Sequence, residues 1–361
     1  MFVREGHALT VARRLAWQMT IRGGLALSFG LAACGLMQQA RGMGTILTLH
    51  RVRPAQADRF APNAHLEVTP DFLDAALQRL KASGVSLVDL DEIAARRREA
   101  DRSPADRPPF VAVTLDDGYR DNLDHAAPVF ARHNVPFTVF VVEGFARRRQ
   151  SPWWETLAAL LGSRTSLPDP FTKQAGAILD LSTPAGKQRA FDRLAAHIRG
   201  STDEAAAILT LNRAAEREGL YPAALTERLM LDERGLIALA RSPGANLGAH
   251  TVTHRALAPL DDAAAEAEIA ASARFIADLT GQPARHFAFP YGDAPAVSLR
   301  DQALVLKHGM HGYTTRPGTI TMASLPGGLP RVSVNGHYQR PWQLAALVTG
   351  IPFRLRGRAS D

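Results

Sequence analysis

The sequence predicts an α/β fold built on a parallel sheet or barrel. Short apolar segments rich in β-branched residues alternate with amphipathic helical segments, first over residues 44–142 and again over residues 232–349. This alternation is typical of parallel strands joined by helical crossovers. It stops between about residues 151 and 230, where Ala- and Leu-rich stretches predict an all-helical insertion within one domain.

Each element is predicted by its own pattern. Thr69-Pro70-Asp71 has the cap and the first-turn proline of a helix start, and Gly84 ends that helix. The expected core strands lie at residues 44–49, 85–88, 110–115, 136–142, 245–249, 285–289, 310–314 and 330–334. The expected helices lie at residues 69–84, 89–98, 121–133, 232–241, 261–279 and 341–349, with insertion helices near 154–162, 187–199 and 203–217.

The amino-acid composition limits the classes of protein to which the chain can belong. The 361 residues are 46% apolar and 21% charged, which is ordinary for a globular protein and excludes wholesale disorder. The net charge is +7, and residues 1–60 carry eight arginines against two acids. The C-terminal residues 351–358 are basic and apolar together. These ends predict either a solvated basic surface or peripheral contact with anionic lipid head groups or acidic glycans. Nucleic acid is not an expected partner, because no binding motif accompanies the charge.

The N-terminal segment has two interpretations. Residues 25–37 are apolar, and Leu31-Ala32-Ala33-Cys34, with the chain's single cysteine, is similar to a lipoprotein cleavage box. The alternative is an N-terminal helix packed beside the domain. We therefore expect three regions: residues 1–43, a main domain over 44–340, and a C-terminal helix and basic tail over 341–361. A location in the cytoplasm or at the inner membrane is favoured over export through Cys34.

The most informative segment is Thr114-Leu115-Asp116-Asp117-Gly118. Two adjacent carboxylates follow an apolar strand, and Gly118 allows the chain to turn. Because charges are rarely buried without partners, the pair requires a cation. His250 and His254 supply two imidazoles four residues apart. One carboxylate and two imidazoles suit zinc or another first-row divalent metal with open positions for water, and the second carboxylate is then free to act as a base.

These motifs resemble those of the polysaccharide deacetylases, the family that shares the homology domain of nodulation-type chitooligosaccharide deacetylases. The matching pieces are Thr-Leu-Asp-Asp-Gly at 114–118, His-x-x-x-His at 250–254 and Phe-Ala-Phe-Pro-Tyr-Gly at 287–292. The resemblance spans roughly residues 44–335. It implies a deformed (β/α)7 barrel, one divalent metal ion that is usually zinc, and hydrolysis of N-acetyl groups from amino sugars.

Roles follow from the resemblance residue by residue. Asp117, His250 and His254 would bind the metal, Asp116 would be the general base, and the backbone N–H of Tyr291 would help hold the oxyanion. Two departures matter: Ala288 stands where many members carry Arg, and Leu329-Pro330-Arg331 stands where many carry Leu-x-His. The chain is therefore more similar to the poly-N-acetylglucosamine deacetylase branch, in which a histidine on the first strand is the acid. His50 occupies that place, with a purely structural histidine as the alternative.

Further residues have weaker support as substrate-binding groups. Asp293 follows the Pro290-Tyr291-Gly292 turn and either orients a histidine or caps the next turn. Arg316 and Arg331 end late strands, where they bind substrate, pair with the catalytic carboxylates or form surface salt bridges. The Trp153-Trp154 pair is either a sugar platform or ordinary packing.

The expected function is metal-dependent removal of N-acetyl groups from an amino sugar: a chitooligosaccharide, poly-N-acetylglucosamine or a lipid-linked sugar. Two alternatives remain open. One is an amidohydrolase acting on a small non-sugar amide, and the other is a catalytically silent glycan-binding module.

Overall fold

The computed structural model describes residues 11–56, 58–102, 108–172, 174 and 176–357. The outer ends of the two basic segments, residues 1–10 and 358–361, lie outside the described residues.

Strands and helices alternate along the chain as the sequence predicts. The first part contains α1 (Val11–Ala33), β1 (Gly44–Leu49), β2 (Arg51–Val52), β3 (Glu67–Val68), α2 (Pro70–Ala82), β4 (Ser86–Val88), α3 (Leu90–Arg102), β5 (Phe110–Leu115), α4 (Ala127–His133), β6 (Phe137–Val141) and α5 (Glu143–Ala146). The middle part contains α6 (Trp153–Gly162), β7 (Ser166–Pro168), β8 (Ile178–Asp180), α7 (Pro184–Gly200), α8 (Glu204–Arg217) and α9 (Pro222–Leu229). The last part contains α10 (Glu233–Ala240), β9 (Ala245–Ala249), α11 (Asp262–Thr280), β10 (His286–Ala288), α12 (Leu299–Lys307), β11 (His311–Tyr313), β12 (Val332–Ser333), α13 (Pro341–Val348) and α14 (Ile351–Leu355).

The main sheet is parallel and curls into a barrel. Its strand order is β11-β10-β9-β6-β5-β1-β12, with β4 also paired to β5. β1 and β5 pair along their whole length, from Gly44 beside Phe110 to Leu49 beside Leu115. A bridge between Tyr313 and Leu329 joins the β11 edge to the segment that leads into β12. The predicted α/β barrel is confirmed, and all its main strands end at the same rim.

Alternating side chains of the strands fill two separate cores. On β1, Leu47 and Leu49 pack outward against the barrel helices, whereas Ile46 packs into the barrel interior. Successive side chains of a strand point to opposite faces, and here both faces are buried. The strands therefore appear in the sequence as continuous apolar runs.

The insertion has a core of its own and one element that the sequence analysis did not predict. Its helices α6 to α8 pack on one another and share an apolar cluster with Tyr119, Val142 and Phe145 of the barrel rim. Besides helices, it contains the antiparallel hairpin β7–β8, so it is not all-helical as expected. Leu167 is buried on that hairpin while its neighbours are exposed, and three-residue strands are too short to produce a clear pattern.

The N-terminal helix α1 packs against α13 and α14, and Cys34 just after it is exposed. No helix within the described ranges is long and apolar enough to cross a lipid bilayer. Peripheral membrane contact through the basic ends stays a prediction.

Candidate metal centre and active site

The two adjacent carboxylates lie at the rim where β5 ends. Asp116 and Asp117 are each 2% exposed. Asp117 has a φ of 76° and Gly118 has the same value, so the chain turns sharply directly after the strand. A left-handed φ at a non-glycine residue is costly and persists where the surrounding structure enforces it. Thr251, His254 and Tyr291 share this conformation, so the strained backbone is concentrated around one site.

The two imidazoles come from the chain that follows β9. The backbone N–H of His250 donates to Val141 O at 3.0 Å, which fixes the residue at the rim. Its Nδ1 lies 2.7 Å from Ala288 O, which is an acceptor only, so Nδ1 carries the proton and Nε2 presents a lone pair. The His254 N–H donates to Thr251 Oγ1 at 2.9 Å, which closes the turn between the two histidines.

Asp117, His250 and His254 form a group that fits a divalent metal ion. Their ligand atoms lie within 4.8 Å of one another, with Asp117 Oδ1 3.5 Å from His250 Nε2 and 3.3 Å from His254 Nε2. Ligands at about 2.0–2.1 Å from a tetrahedral zinc ion lie about 3.3–3.4 Å apart. Asp117 Oδ1 is buried and has no hydrogen-bond partner among the described residues. A buried carboxylate oxygen of this kind is costly unless it has a cation to bind.

The electrostatics favour an ionised Asp117. Burial by itself would raise the pKa of this carboxyl, but the imidazoles of His250 and His254 outweigh it and hold the pKa well below its usual range. The carboxylate form is the one that binds a metal.

Asp116 is held by a buried arginine that directly precedes β12, two strands away from β5 in the sheet. Arg331 is fully buried, and its Nη1 and Nη2 atoms donate to the two oxygens of Asp116 at 2.7 Å each. Its Nε donates to Thr314 O and its Nη1 also donates to Thr114 Oγ1, both at 3.1 Å. Burial would raise the pKa of Asp116, but Arg331 holds it below its usual value.

His50 lies at the end of β1, half-buried beside the same carboxylates. Asn122 Nδ2 donates to its backbone oxygen at 2.8 Å. Burial lowers the pKa of the imidazole, and the nearby charges of Asp117 and Asp116 oppose that shift. His50 does not belong to the metal-ligand group among the described residues, so it is free for another role.

Tyr291 lies after β10 in the left-handed conformation, with a φ of 60°. Its carbonyl accepts a hydrogen bond from Thr315 Oγ1 at 2.6 Å, and Gly292 N–H donates to Pro290 O at 2.6 Å. A side chain at Gly292 would meet Thr315 N at 2.5 Å, so the turn requires glycine. Within the part of the chain that the structure describes, no acceptor bonds the Tyr291 N–H.

The structure places the three weaker candidates, Arg316, Arg331 and Asp293, in different environments. Arg331 pairs with Asp116 and is fully buried, whereas Arg316 is exposed. Asp293 forms an ion pair with Arg199 Nη2 at 2.9 Å and bonds no histidine among the described residues. Of the two arginines, only Arg331 pairs with a site carboxylate within the described part of the chain.

The tryptophan pair packs beneath the site instead of forming an exposed platform. Trp153 and Trp154 are 5% and 7% exposed. The Trp154 ring lies 4.8 Å from the His254 ring, and its Nε1 donates to Tyr119 Oη at 2.7 Å. A sugar platform needs an accessible ring face, and both indoles are buried in this structure, which favours the packing alternative.

Several site neighbours carry no signal in the sequence. Glu204 and Arg199 of the insertion contact the Tyr291 loop from 87 and 94 residues away. Arg51 forms a buried network with Asp121 at 2.8 Å and Glu155 at 3.4 Å, which fastens α6 to the barrel. These residues lie in unremarkable stretches of sequence, and only the fold brings them together.

Comparison with known proteins agrees with the geometry. The sequence profile of the family described as Polysaccharide deacetylase matches residues 104–166 and 215–311. The gap between the two matched segments covers most of the insertion. The chain matches no curated protein sequence at a significant level.

The fold is similar to solved deacetylase structures. Deacetylase PplD of Streptococcus pyogenes, in complex with acetate, has a TM-score of 0.52 at 17% identity, covering 81% of this chain and 92% of its own. IcaB from Ammonifex degensii has a TM-score of 0.50 at 17% identity, covering 86% and 98%. BC0361, a polysaccharide deacetylase from Bacillus cereus, has a TM-score of 0.50 at 17% identity, covering 84% and 68%. With the matched sequence segments carrying both the carboxylate pair and the two histidines, the chain is a member of the polysaccharide deacetylase family.

Proposed function

We propose that the protein is a metal-dependent hydrolase that removes N-acetyl groups from an amino-sugar substrate. The observation that carries the proposal is the convergence of Asp117, His250 and His254 beside a second buried carboxylate, Asp116. Family membership supports deacetylation of a polysaccharide in general terms. The position of His50 at the end of the first strand favours poly-N-acetylglucosamine among the sugar substrates, with a chitooligosaccharide or a lipid-linked amino sugar as the related possibilities.

Asp117, His250 and His254 would hold the metal ion, and zinc is the ion that best suits one carboxylate and two imidazoles. When bound, such an ion polarises an amide carbonyl and lowers the pKa of water.

The protein's own groups supply the proton transfers. Asp116 accepts the proton of the attacking water, and Arg331 keeps that carboxylate ionised until then. The N–H of Tyr291 donates to the oxyanion that develops as the carbonyl is attacked. His50 donates a proton to the amine as the C–N bond breaks. The products are acetate and the free amino sugar.

The test is acetate release from N-acetylglucosamine oligomers, β-1,4-linked and β-1,6-linked, by purified protein loaded with zinc. We expect release that a chelator abolishes and added metal restores. Asp116→Asn is the matched variant: it should keep the metal and lose about 10²–10⁴-fold in kcat, the usual worth of a general base. Metal-loaded protein that releases acetate only from small non-sugar amides, or from nothing, would contradict the proposal.

A further inference from the structure

The phenol hydroxyl of Tyr291 is anchored by the insertion from two sides. Trp153 Nε1, at the start of α6, donates to Tyr291 Oη at 2.9 Å. The hydroxyl in turn donates to Glu204 Oε1 at the start of α8. Burial, together with the charge of Glu204, raises the pKa of the phenol well above its usual value, so it stays a donor.

The same carboxylate also reaches the loop of a metal-ligand histidine. Glu204 Oε2 accepts the backbone N–H of Ala256 at 3.4 Å, two residues after His254. The rings of His254 and Tyr291 are in edge-to-face contact at 5.2 Å. Glu204 therefore ties the loop that carries the expected oxyanion donor to the loop that carries a metal ligand.

A third contact from the insertion holds the same loop. The Arg199 guanidinium lies over the Tyr291 ring at 4.6 Å and pairs with Asp293 Oδ2. Tyr291 has a φ of 60°, a conformation that costs of the order of 1–3 kcal/mol and persists only where surrounding contacts enforce it. Thr315 holds the backbone of this loop from the barrel, and Trp153, Glu204 and Arg199 of the insertion hold the Tyr291 side chain.

We propose that Glu204 is a positioning residue for catalysis: acting through the Tyr291 hydroxyl, it sets the direction of the Tyr291 N–H relative to the His254 loop. The insertion is then part of the catalytic apparatus, although it contributes no group that touches the reacting atoms. This inference rests on the proposed function, because it assigns the Tyr291 N–H to the oxyanion.

The kinetic test compares Glu204→Ala, Tyr291→Phe and the double variant. Each single variant should lower kcat 10- to 100-fold with KM within about 3-fold, less than the 10²–10³ lost when an oxyanion donor is deleted outright. Because both changes break one connection, the double variant should be no slower than the slower single variant. Glu204→Gln should recover part of the loss. The control is Glu216→Ala on the exposed face of α8, which should leave kcat unchanged.

A spectroscopic readout is independent of turnover. The Trp153 indole N–H resonance, assigned with Trp153→Phe, should shift in Glu204→Ala and Tyr291→Phe but not in Glu216→Ala. An unchanged kcat in Glu204→Ala, multiplicative losses in the double variant, or an unmoved indole resonance would each overturn the inference. Wild-type protein without deacetylase activity would overturn the proposed function instead, and the indole resonance would still report whether the anchor exists.

Discussion

Removing the Arg331 guanidinium tests how Asp116, the proposed base, is kept ionised. Arg331→Met leaves Asp116 buried without the two donors that now lie 2.7 Å from its oxygens. An opposite charge at this range lowers a carboxyl pKa by about 1–3 units, and burial alone raises it. The pKa of Asp116 should therefore rise, and breaking a buried pair should cost about 3–5 kcal/mol of stability.

The sign of the pH dependence follows from the direction of the shift. In the wild type, the pKa of Asp116 is lower in the folded state than in the unfolded chain. The ionised carboxylate therefore contributes fully to stability above the unfolded-state pKa, near 4, and this contribution is lost as the pH falls through the folded-state pKa. In Arg331→Met the folded-state pKa is raised, so the variant should instead lose stability as the pH rises above about 4.

The assay is a pH profile of kcat/KM with urea unfolding at several pH values. The acid limb should move to higher pH in Arg331→Met and by less in Arg331→Lys, which keeps a charge but loses the two-pronged contact. Arg316→Met is the matched control, since Arg316 lies three residues after β11 and is exposed, and it should leave the profile unchanged. An acid limb that stays in place in Arg331→Met would refute the assignment of Asp116 as the base that Arg331 holds ionised.

Three further outcomes are expected. His50→Asn should lower kcat about 10²–10⁴-fold with metal content unchanged; substrates whose leaving group needs no proton should lose much less, and an equal loss for both would exclude the acid role. Arg51→Met should lower the free energy of unfolding in urea by about 3–5 kcal/mol at neutral pH and by less in acid. The reason is that Asp121 and Glu155, which lose their partner, have raised pKa values and become neutral in acid. Equal losses at both pH values would contradict this. Leu27→Glu, on the exposed side of α1, should weaken cosedimentation with phosphatidylglycerol vesicles, whereas Leu299→Glu should not; no binding by the wild type would end the membrane prediction.

The sequence predicts the barrel well because its signals are local. The strand segments are buried on both faces, so each reads as a continuous apolar run, and the helix starts are marked by caps such as Thr69, whose hydroxyl accepts the Phe72 N–H. The sequence does not predict the hairpin of the insertion, because its strands have three residues each, too few to show an alternation of apolar and polar residues.

The ligand group is predictable for a similar reason: Asp117, His250 and His254 follow strands, and parallel strands of one barrel end at one rim. Distinguishing Arg331 from Arg316 is not a local question, because only the fold turns the Arg331 side chain inward to Asp116 and leaves Arg316 exposed. Glu204 is further from prediction, since it lies in an insertion whose placement over the rim depends on tertiary packing.

The central claim is that Asp117, His250 and His254 hold a single ion. The most direct measurement is metal content by mass spectrometry after the purified protein has been stripped with chelator, reloaded with zinc and desalted. We expect about one zinc per chain in the wild type and in His286→Ala, which alters a buried histidine outside the group. We expect almost none in His250→Ala or His254→Ala, with the fold retained by circular dichroism. Zinc retained at the wild-type level in both variants would contradict it.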